Sequence, residues 1–134
     1  MKKYGAFFIA LLAPLFLNSS TTYSQTGGKS KTMNTLTVQS TAFKHNDMIP
    51  SKHTCDGANV SPQVKWSGAP AGTRSFALLC DDPDAPVGDW VHWILFNIPA
   101  GTTELPEHFL AKGSDLPGIK AGITDFRKLE YGGP

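Results

Sequence analysis

The fold is decided by the stretch Ser75-Phe-Ala-Leu-Leu-Cys-Asp-Asp-Pro-Asp-Ala-Pro-Val-Gly-Asp-Trp-Val-His-Trp-Ile-Leu-Phe-Asn97. Two apolar runs, residues 76–80 and 90–96, flank a polar segment with four aspartates and two prolines. Short runs rich in β-branched and aromatic residues, bounded by Asp, Pro and Gly, are typical of buried β-strands. The stretch therefore predicts two strands joined by a short loop.

Alternation of side chains along these strands places polar groups at one rim of the predicted sheet. The even-numbered residues of each strand share one face. They are residues 76, 78, 80 and 82 in the first strand and residues 90, 92, 94 and 96 in the second. Because the loop is short, Asp82 is expected to lie beside Trp90 and His92. We take this rim as the candidate site.

Asp82, Trp90 and His92 form a set that suits a small anion. A histidine donates hydrogen bonds to an oxyanion, and its protonation is easily tuned near neutral pH. Asp82 can fix the tautomer of His92 or meet an amine on the ligand, while Trp90 supplies an apolar wall. Two plainer interpretations stay open. Asp and Pro can form a rigid turn that binds nothing, and His92 can be a hydrogen-bonded core histidine.

Several motifs in this region resemble those of one known family. Asp82-Pro-Asp-Ala-Pro86, Trp90-Val-His-Trp93 and Asn97-Ile-Pro99 are similar to the first conserved region of the phosphatidylethanolamine-binding protein family, above all its bacterial, Raf-kinase-inhibitor-like branch. Other matching pieces are Phe43, Ile49-Pro50, Thr54-Cys-Asp-Gly57, Val60-Ser-Pro62, Trp66, Pro70-Ala-Gly72, Asp125-Phe126 and Tyr131-Gly-Gly-Pro134. The resemblance runs from about residue 36 to the last residue.

The resemblance implies a fold and a ligand class. It implies an all-β domain of antiparallel sheets, packed as a β-sandwich. It also implies that Asp82, Trp90 and His92 line a pocket for a phosphate-like anion or a phospholipid head group such as phosphoethanolamine. Neither a cofactor nor a metal ion is implied.

The resemblance also assigns supporting residues. It implies a cis peptide bond between Ala85 and Pro86, and it makes Pro83 and Asp84 supports of the loop. Trp66 is expected to pack near the pocket without binding ligand.

The chain also departs from the family pattern. Similar proteins continue past the Tyr-Gly-Gly-Pro motif with a Gly-x-His-Arg-Tyr motif, further strands and a C-terminal helix, which this sequence does not contain. Residues 127–130 also differ from the Gly-rich pattern usual at that place. We therefore expect an incomplete domain at residues 36–134, with a half-formed pocket of reduced anion affinity.

Two other classes of function remain as alternatives. The first is a protein–protein module that inhibits a hydrolase such as a protease, as some similar proteins do. The second is a weak hydrolase in which Asp82 and His92 act as a general-base pair. A calcium loop is disfavoured because Pro86 takes the place of a ligand and the late Glu is missing. A zinc site built from His53, Cys55 and His92 lacks paired ligand spacing.

The N-terminal residues predict export. Two lysines, an apolar run at residues 6–17 and a small polar stretch follow the order of a secretory signal peptide, which we place at residues 1–24. A polar leader follows at residues 25–35. We expect a periplasmic or secreted protein with no stable membrane span after cleavage, and a retained N-terminal anchor is the alternative.

Charge and the remaining sequence limit the other classes. Twelve basic and eleven acidic residues are scattered along the chain, so no basic stripe for nucleic acid is present. Residues 36–42 and 60–66 are expected to form strands, the latter with Val64 and Trp66 on one face. Residues 103–111 can hold a helical turn that Pro106 keeps short. A Cys55–Cys80 disulfide is left open.

Overall fold

The computed structural model describes residues 35–114 and 116–134, together with a two-residue strand near the N-terminus. The predicted signal peptide and leader, apart from that strand and Thr35, lie outside the described residues. The elements in chain order are β1 (Phe7–Phe8), β2 (Thr37–Gln39), a 3-10 turn (Ser51–His53), β3 (Val64–Ser67), β4 (Ser75–Asp82), β5 (Trp90–Pro99), β6 (Glu104–Leu105) and β7 (Lys120–Ala121).

The strands form two antiparallel sheets. One has the order β1-β4-β5-β7 and the other the order β2-β3-β6. The described residues contain no α-helix, so the predicted all-β antiparallel fold is confirmed. Nor do we find, within that part of the chain, a helix of the length and apolarity needed to cross a bilayer.

The core lies between the sheets. Trp66 of β3 and Phe76 of β4 meet edge-to-face with ring centroids 5.5 Å apart, which joins one sheet to the other. Leu78 and Leu95 stand opposite each other across β4 and β5, and both are almost fully buried. Val64 is buried on the same side of β3 as Trp66, as the sequence predicts.

The predicted alternation holds in β4 and fails in β5. Phe76, Leu78, Cys80 and Asp82 are all buried, as predicted. In β5 the buried positions are His92, Trp93, Leu95 and Ile98, whereas the side chain of Phe96 is 37% exposed. The cause is two shifts of register, each of which adds one residue to β5 and redirects the side chains beyond it.

The expected helical turn at residues 103–111 is wrong, because a short strand forms there instead. Glu104 and Leu105 pair with Lys65 and Val64. The pairing buries Leu105 completely in the core, and the Gln63 side-chain amide donates to the Glu104 carboxylate at 2.9 Å. Long-range packing outweighs the weak local preference here.

Candidate functional site

Asp82 and Trp90 face each other across β4 and β5, at the end of the two strands that the loop joins. The register pairs their Cα atoms directly, and only 5% of the Asp82 surface is exposed. Residues opposite each other in an antiparallel pair have neighbouring side chains. The adjacency of Asp82 and Trp90 that the sequence predicts is therefore present.

His92 occupies the first register shift of β5. Cys80 pairs with Trp93 and Asp81 pairs with Val91, so His92 is the extra residue between two pairs. Its ring is buried, with 5% of the residue exposed. Bulges of this kind are common next to functional sites, where they change the direction of a side chain. This one takes His92 out of the regular alternation of faces along β5.

A backbone carbonyl fixes the orientation of the His92 ring. His92 Nδ1 lies 2.6 Å from the carbonyl oxygen of Gly132, and the Gly132 N–H donates to the His92 carbonyl at 3.0 Å. Since a carbonyl oxygen only accepts, Nδ1 carries the hydrogen. Nε2 is then an acceptor in the neutral ring and a donor when the ring is protonated. Among the described residues, Nε2 has no hydrogen-bond partner.

This contact corrects one expectation about Asp82. The residue pattern allows Asp82 to fix the His92 tautomer, but the Gly132 carbonyl holds Nδ1. Asp82 Oδ1 instead accepts the backbone N–H of Asp84 at 2.9 Å. The Asp82 side chain therefore closes the turn, whereas Asp84 is exposed and contributes its backbone N–H.

Phe126 joins the site from the segment after β7. Its ring stands edge-to-face on Trp90 at 5.5 Å and lies 5.4 Å from the His92 ring. Asp125 anchors this segment, because its carboxylate accepts the Val91 N–H at 2.7 Å and its own N–H donates to the Val91 carbonyl at 3.1 Å. The sequence shows Asp125-Phe126 as a family motif, and only the fold shows that it completes the site.

The loop between the strands differs from one expectation. The expected cis peptide bond between Ala85 and Pro86 is wrong, because this bond is trans. The Gly88 N–H closes the loop on the Ala85 carbonyl at 3.0 Å. Gly88 has φ +95°, a left-handed conformation that glycine adopts without a steric penalty. The trans form is the ordinary one for a bond before proline.

Trp66 lies away from the rim. It packs on Phe76, six residues before Asp82 along β4. At about 3.3 Å per residue, six residues of strand span roughly 20 Å. Trp66 is therefore a core residue at the far end of the strand, and its expected place near the pocket is wrong.

The surroundings of the site are apolar and acidic. Burial, followed by the charges of Asp81 and Asp82, raises the pKa of the Cys80 thiol to about 12, so Cys80 stays neutral. Cys80 and the exposed Cys55 are both free thiols. Asp81 Oδ1 is buried without a hydrogen-bond partner in the described part of the chain. No group of His, Cys, Asp and Glu within these residues has the arrangement of a metal site.

Comparison with known proteins gives one consistent match. The pattern of the phosphatidylethanolamine-binding proteins (PBP) matches residues 39–134. An Aquifex aeolicus UPF0098 protein is 48% identical over 97 residues, which cover 72% of this chain and 56% of that protein. The Escherichia coli UPF0098 protein YbhB is 42% identical over 101 residues, which cover 68% of this chain and 62% of YbhB. This chain thus spans less than two thirds of the length of either relative.

Solved structures agree with the sequence matches. The crystal structure of Escherichia coli YbcL, described as a new member of the mammalian PEBP family, superposes with a TM-score of 0.68 at 39% identity, covering 74% of this chain and 65% of YbcL. A phosphatidylethanolamine-binding protein homologue from Chlamydia trachomatis superposes with a TM-score of 0.65 at 29% identity, covering 75% and 65% of the two chains.

Proposed function

This chain belongs to the phosphatidylethanolamine-binding protein family, and we propose that it binds a small anionic ligand at the rim formed by Asp82, Trp90 and His92. The ligand is phosphate or a phosphoethanolamine-like head group, and the protein carries out no reaction on it. The protein works in the periplasm or outside the cell, as the N-terminal pattern indicates.

The observation that carries this proposal is the fixed His92 ring. The 2.6 Å contact with the Gly132 carbonyl commits Nδ1, so only Nε2 is left for a ligand. A protonated Nε2 donates to a phosphate oxygen, and the neutral Nε2 accepts from a protonated phosphate. A charge-assisted hydrogen bond in a buried, apolar surrounding is stronger than the same bond in water.

Asp82 is suited to bind the amine of a phosphoethanolamine-like head group. Its Oδ1 is used by the Asp84 N–H, and its Oδ2 has no partner among the described residues. A carboxylate beside an aromatic wall suits an ammonium group, because both the charge and the ring face attract it. Trp90 and Phe126, which meet edge-to-face, form that wall.

Binding without reaction is supported by the hydrogen bonds of the two groups. The hydrolase alternative pairs Asp82 with His92, so that Asp82 would orient the base. Here a backbone carbonyl orients His92, and the turn occupies Asp82. We therefore place hydrolase activity, and inhibition of a protein target through a surface loop, among the outcomes that the experiment separates.

The test is a titration of the full chain with inorganic phosphate and with O-phosphoethanolamine, followed by amide and imidazole NMR. We expect amide or imidazole shifts at Trp90, His92 and Gly132 as phosphate is added. His92→Ala should lower the affinity roughly tenfold or more, since a hydrogen bond to a charged group is lost. His108→Ala, at an exposed histidine, is the matched control.

Because His92 is buried, its replacement can disturb folding, and Trp90→Leu provides a second variant. Dispersed amide signals establish that each variant is folded. Unchanged phosphate affinity in a folded His92→Ala protein would overturn the proposal. Turnover of an ester that depends on His92 would replace it with the hydrolase, and protease inhibition that survives His92→Ala would replace it with the protein-binding module.

A further inference from the structure

A concave surface separate from the rim site lies beside β7. Its walls are residues 110–112, Ile119 with the two residues of β7, and the segment at residues 128–130. It encloses about 760 Å³ and opens to solvent. Small-molecule sites in proteins typically enclose about 300–1,000 Å³, so this groove has the size of a ligand site. We call it the β7 groove.

The floor and one rim of the β7 groove are apolar. Ile119 belongs to the hydrophobic core and forms the floor, and Ala121 beside it is half-buried. Leu110 and Leu129 stand at the rim with 47% and 61% of their surfaces exposed. Neighbouring apolar side chains exposed over a concave surface mark a binding site more often than scattered ones do.

The rest of the rim is basic. Of the residues that the structure describes, Lys112, Lys120 and Lys128 line the groove together with one acid, Glu130. The Glu130 carboxylate lies 3.7 Å from Lys128 Nζ and so compensates that one lysine. Lys112 and Lys120 have no ion-pair partner among the described residues. Lysines can lay their methylene stems along apolar surface while their ammonium groups stay in water.

We propose that the β7 groove binds a single-chain anionic amphiphile, such as a long-chain carboxylate. The alkyl chain lies on Ile119 between Leu110 and Leu129, and the carboxylate meets Lys112 and Lys120 at the rim. Charge complementarity decides between occupants, since a neutral alkyl chain leaves the two lysines without a partner. None of the groove residues belongs to the rim site, so the two sites share no residue.

The experiment titrates dodecanoate into the full chain at concentrations below its micelle formation, with heat and amide shifts as readouts. Dodecanol and dodecyltrimethylammonium are the neutral and cationic comparisons. We expect dodecanoate to shift the signals of Ile119, Lys120 and Ala121, to bind more weakly as salt is raised, and to bind more tightly than either comparison.

Two pairs of variants test the two halves of the groove. Lys112→Glu with Lys120→Glu should lower dodecanoate affinity roughly tenfold, since two attractive charges become repulsive. Lys44→Glu with Arg74→Glu makes the same charge change at exposed positions outside the groove and should have little effect. Leu129→Ser should weaken binding of the alkyl chain, whereas Met48→Ser, at a methionine with 59% exposure, should not.

These surface variants are not expected to unfold the chain, and amide dispersion checks this. Equal dodecanoate affinity in the groove pair and the control pair would overturn the proposal. Occupation of the groove by residues 1–34 of the chain itself would also overturn it. So would concentration-dependent dimer formation that the Leu129→Ser change abolishes. Loss of dodecanoate binding on His92→Ala would place the amphiphile at the rim site and also contradict the proposal.

Discussion

At the scale of the single residue, Gly132 has two effects on the site. Its carbonyl holds His92 Nδ1, and the absence of a side chain leaves room for the Phe126 ring. A Cβ at Gly132 would lie 2.6 Å from Phe126 Cδ2 and 2.7 Å from Cε2, distances that real contacts do not tolerate. Phe126 can therefore reach Trp90 and His92 only because position 132 is glycine.

Gly132→Ala tests this dependence. The added methyl group must displace the Phe126 ring, and overpacking of this kind costs about 1–3 kcal/mol. We expect a lower free energy of urea unfolding and weaker phosphate binding, since Phe126 is part of the wall. Gly101→Ala is the control, because a Cβ there meets no atom within 4 Å. Equal losses in the two variants would show that Phe126 has no such role.

The two cysteines differ in environment and should differ in reactivity. Cys55 is exposed, whereas Cys80 is buried and burial raises its pKa to about 12. Only the thiolate is nucleophilic, so Cys80 in the folded chain should resist alkylation. Mass spectrometry after iodoacetamide treatment at pH 8 should find Cys55 modified rapidly and Cys80 modified only in urea. Similar rates for both thiols in the native protein would contradict the burial of Cys80.

At the scale of the element, the sequence predicts the β4–β5 pair and misses the bulges of β5. Alternation can be followed in β4 because Asp82 and Asp81 mark its polar end. Nearly every position of residues 90–96 is apolar, so no polar residue reports which face each side chain occupies. The rim pair Asp82 and Trp90 was therefore predictable, whereas the bulge at His92 depends on tertiary pairing.

Other misses at this scale also come from distant contacts. β6 is two residues long and exists because it pairs with β3, which lies about forty residues earlier in the chain. Gly132 and Phe126 reach His92 from some forty and thirty residues away, and no local pattern announces either contact. The sequence identifies the residues of the segment that holds Phe126 and Gly132, but it does not show where that segment packs.

Asp125 connects that segment to β5, and its replacement should loosen the site. Asp125→Ala removes the acceptor of the Val91 N–H and should cost about 0.5–1.5 kcal/mol of unfolding free energy. Phe126 should then be less ordered against Trp90, which a change in tryptophan fluorescence would report. Asp125→Asn keeps an oxygen acceptor and is the matched control. If the Asn and Ala variants lose the same unfolding free energy, the carboxylate at this position does not act through the hydrogen bond.

At the scale of the whole molecule, residues 131–134 tie the site to the 3-10 turn and to the residues that follow it. The Tyr131 hydroxyl donates to the His53 carbonyl at 2.6 Å, and the Gly133 N–H donates to the Asn59 side chain at 2.6 Å. The Tyr131 ring also stands edge-to-face on Trp93 at 5.7 Å. The segment that orients His92 is thus held by contacts to both β5 and the region of the 3-10 turn.

Two buried groups, the Cys80 thiol and the Tyr131 hydroxyl, make the stability of the fold depend on pH in the alkaline range. Burial, followed by the charge of Cys80, raises the pKa of the Tyr131 hydroxyl above its ordinary value of 10.0, and the pKa of Cys80 rises from 9.0 to about 12. Both groups ionise more easily in the unfolded chain. Their contribution to stability is complete below pH 9 and is lost as the pH rises from 9 toward 12.

Tyr131→Phe separates the hydrogen bond from the ionisation. At pH 7 the variant should be less stable by about 0.5–1.5 kcal/mol, because the His53 carbonyl loses its donor while the ring contact with Trp93 remains. Above pH 10 the wild-type chain loses the additional stability that the neutral hydroxyl contributes, and the variant has no hydroxyl to ionise. The difference in urea unfolding free energy should therefore narrow with rising pH. Cys55→Ser, at an exposed thiol, should follow the wild-type profile throughout. A constant difference from pH 7 to pH 11 would mean that Tyr131 ionises equally well in the folded and unfolded chains, and that its burial does not link the fold to pH.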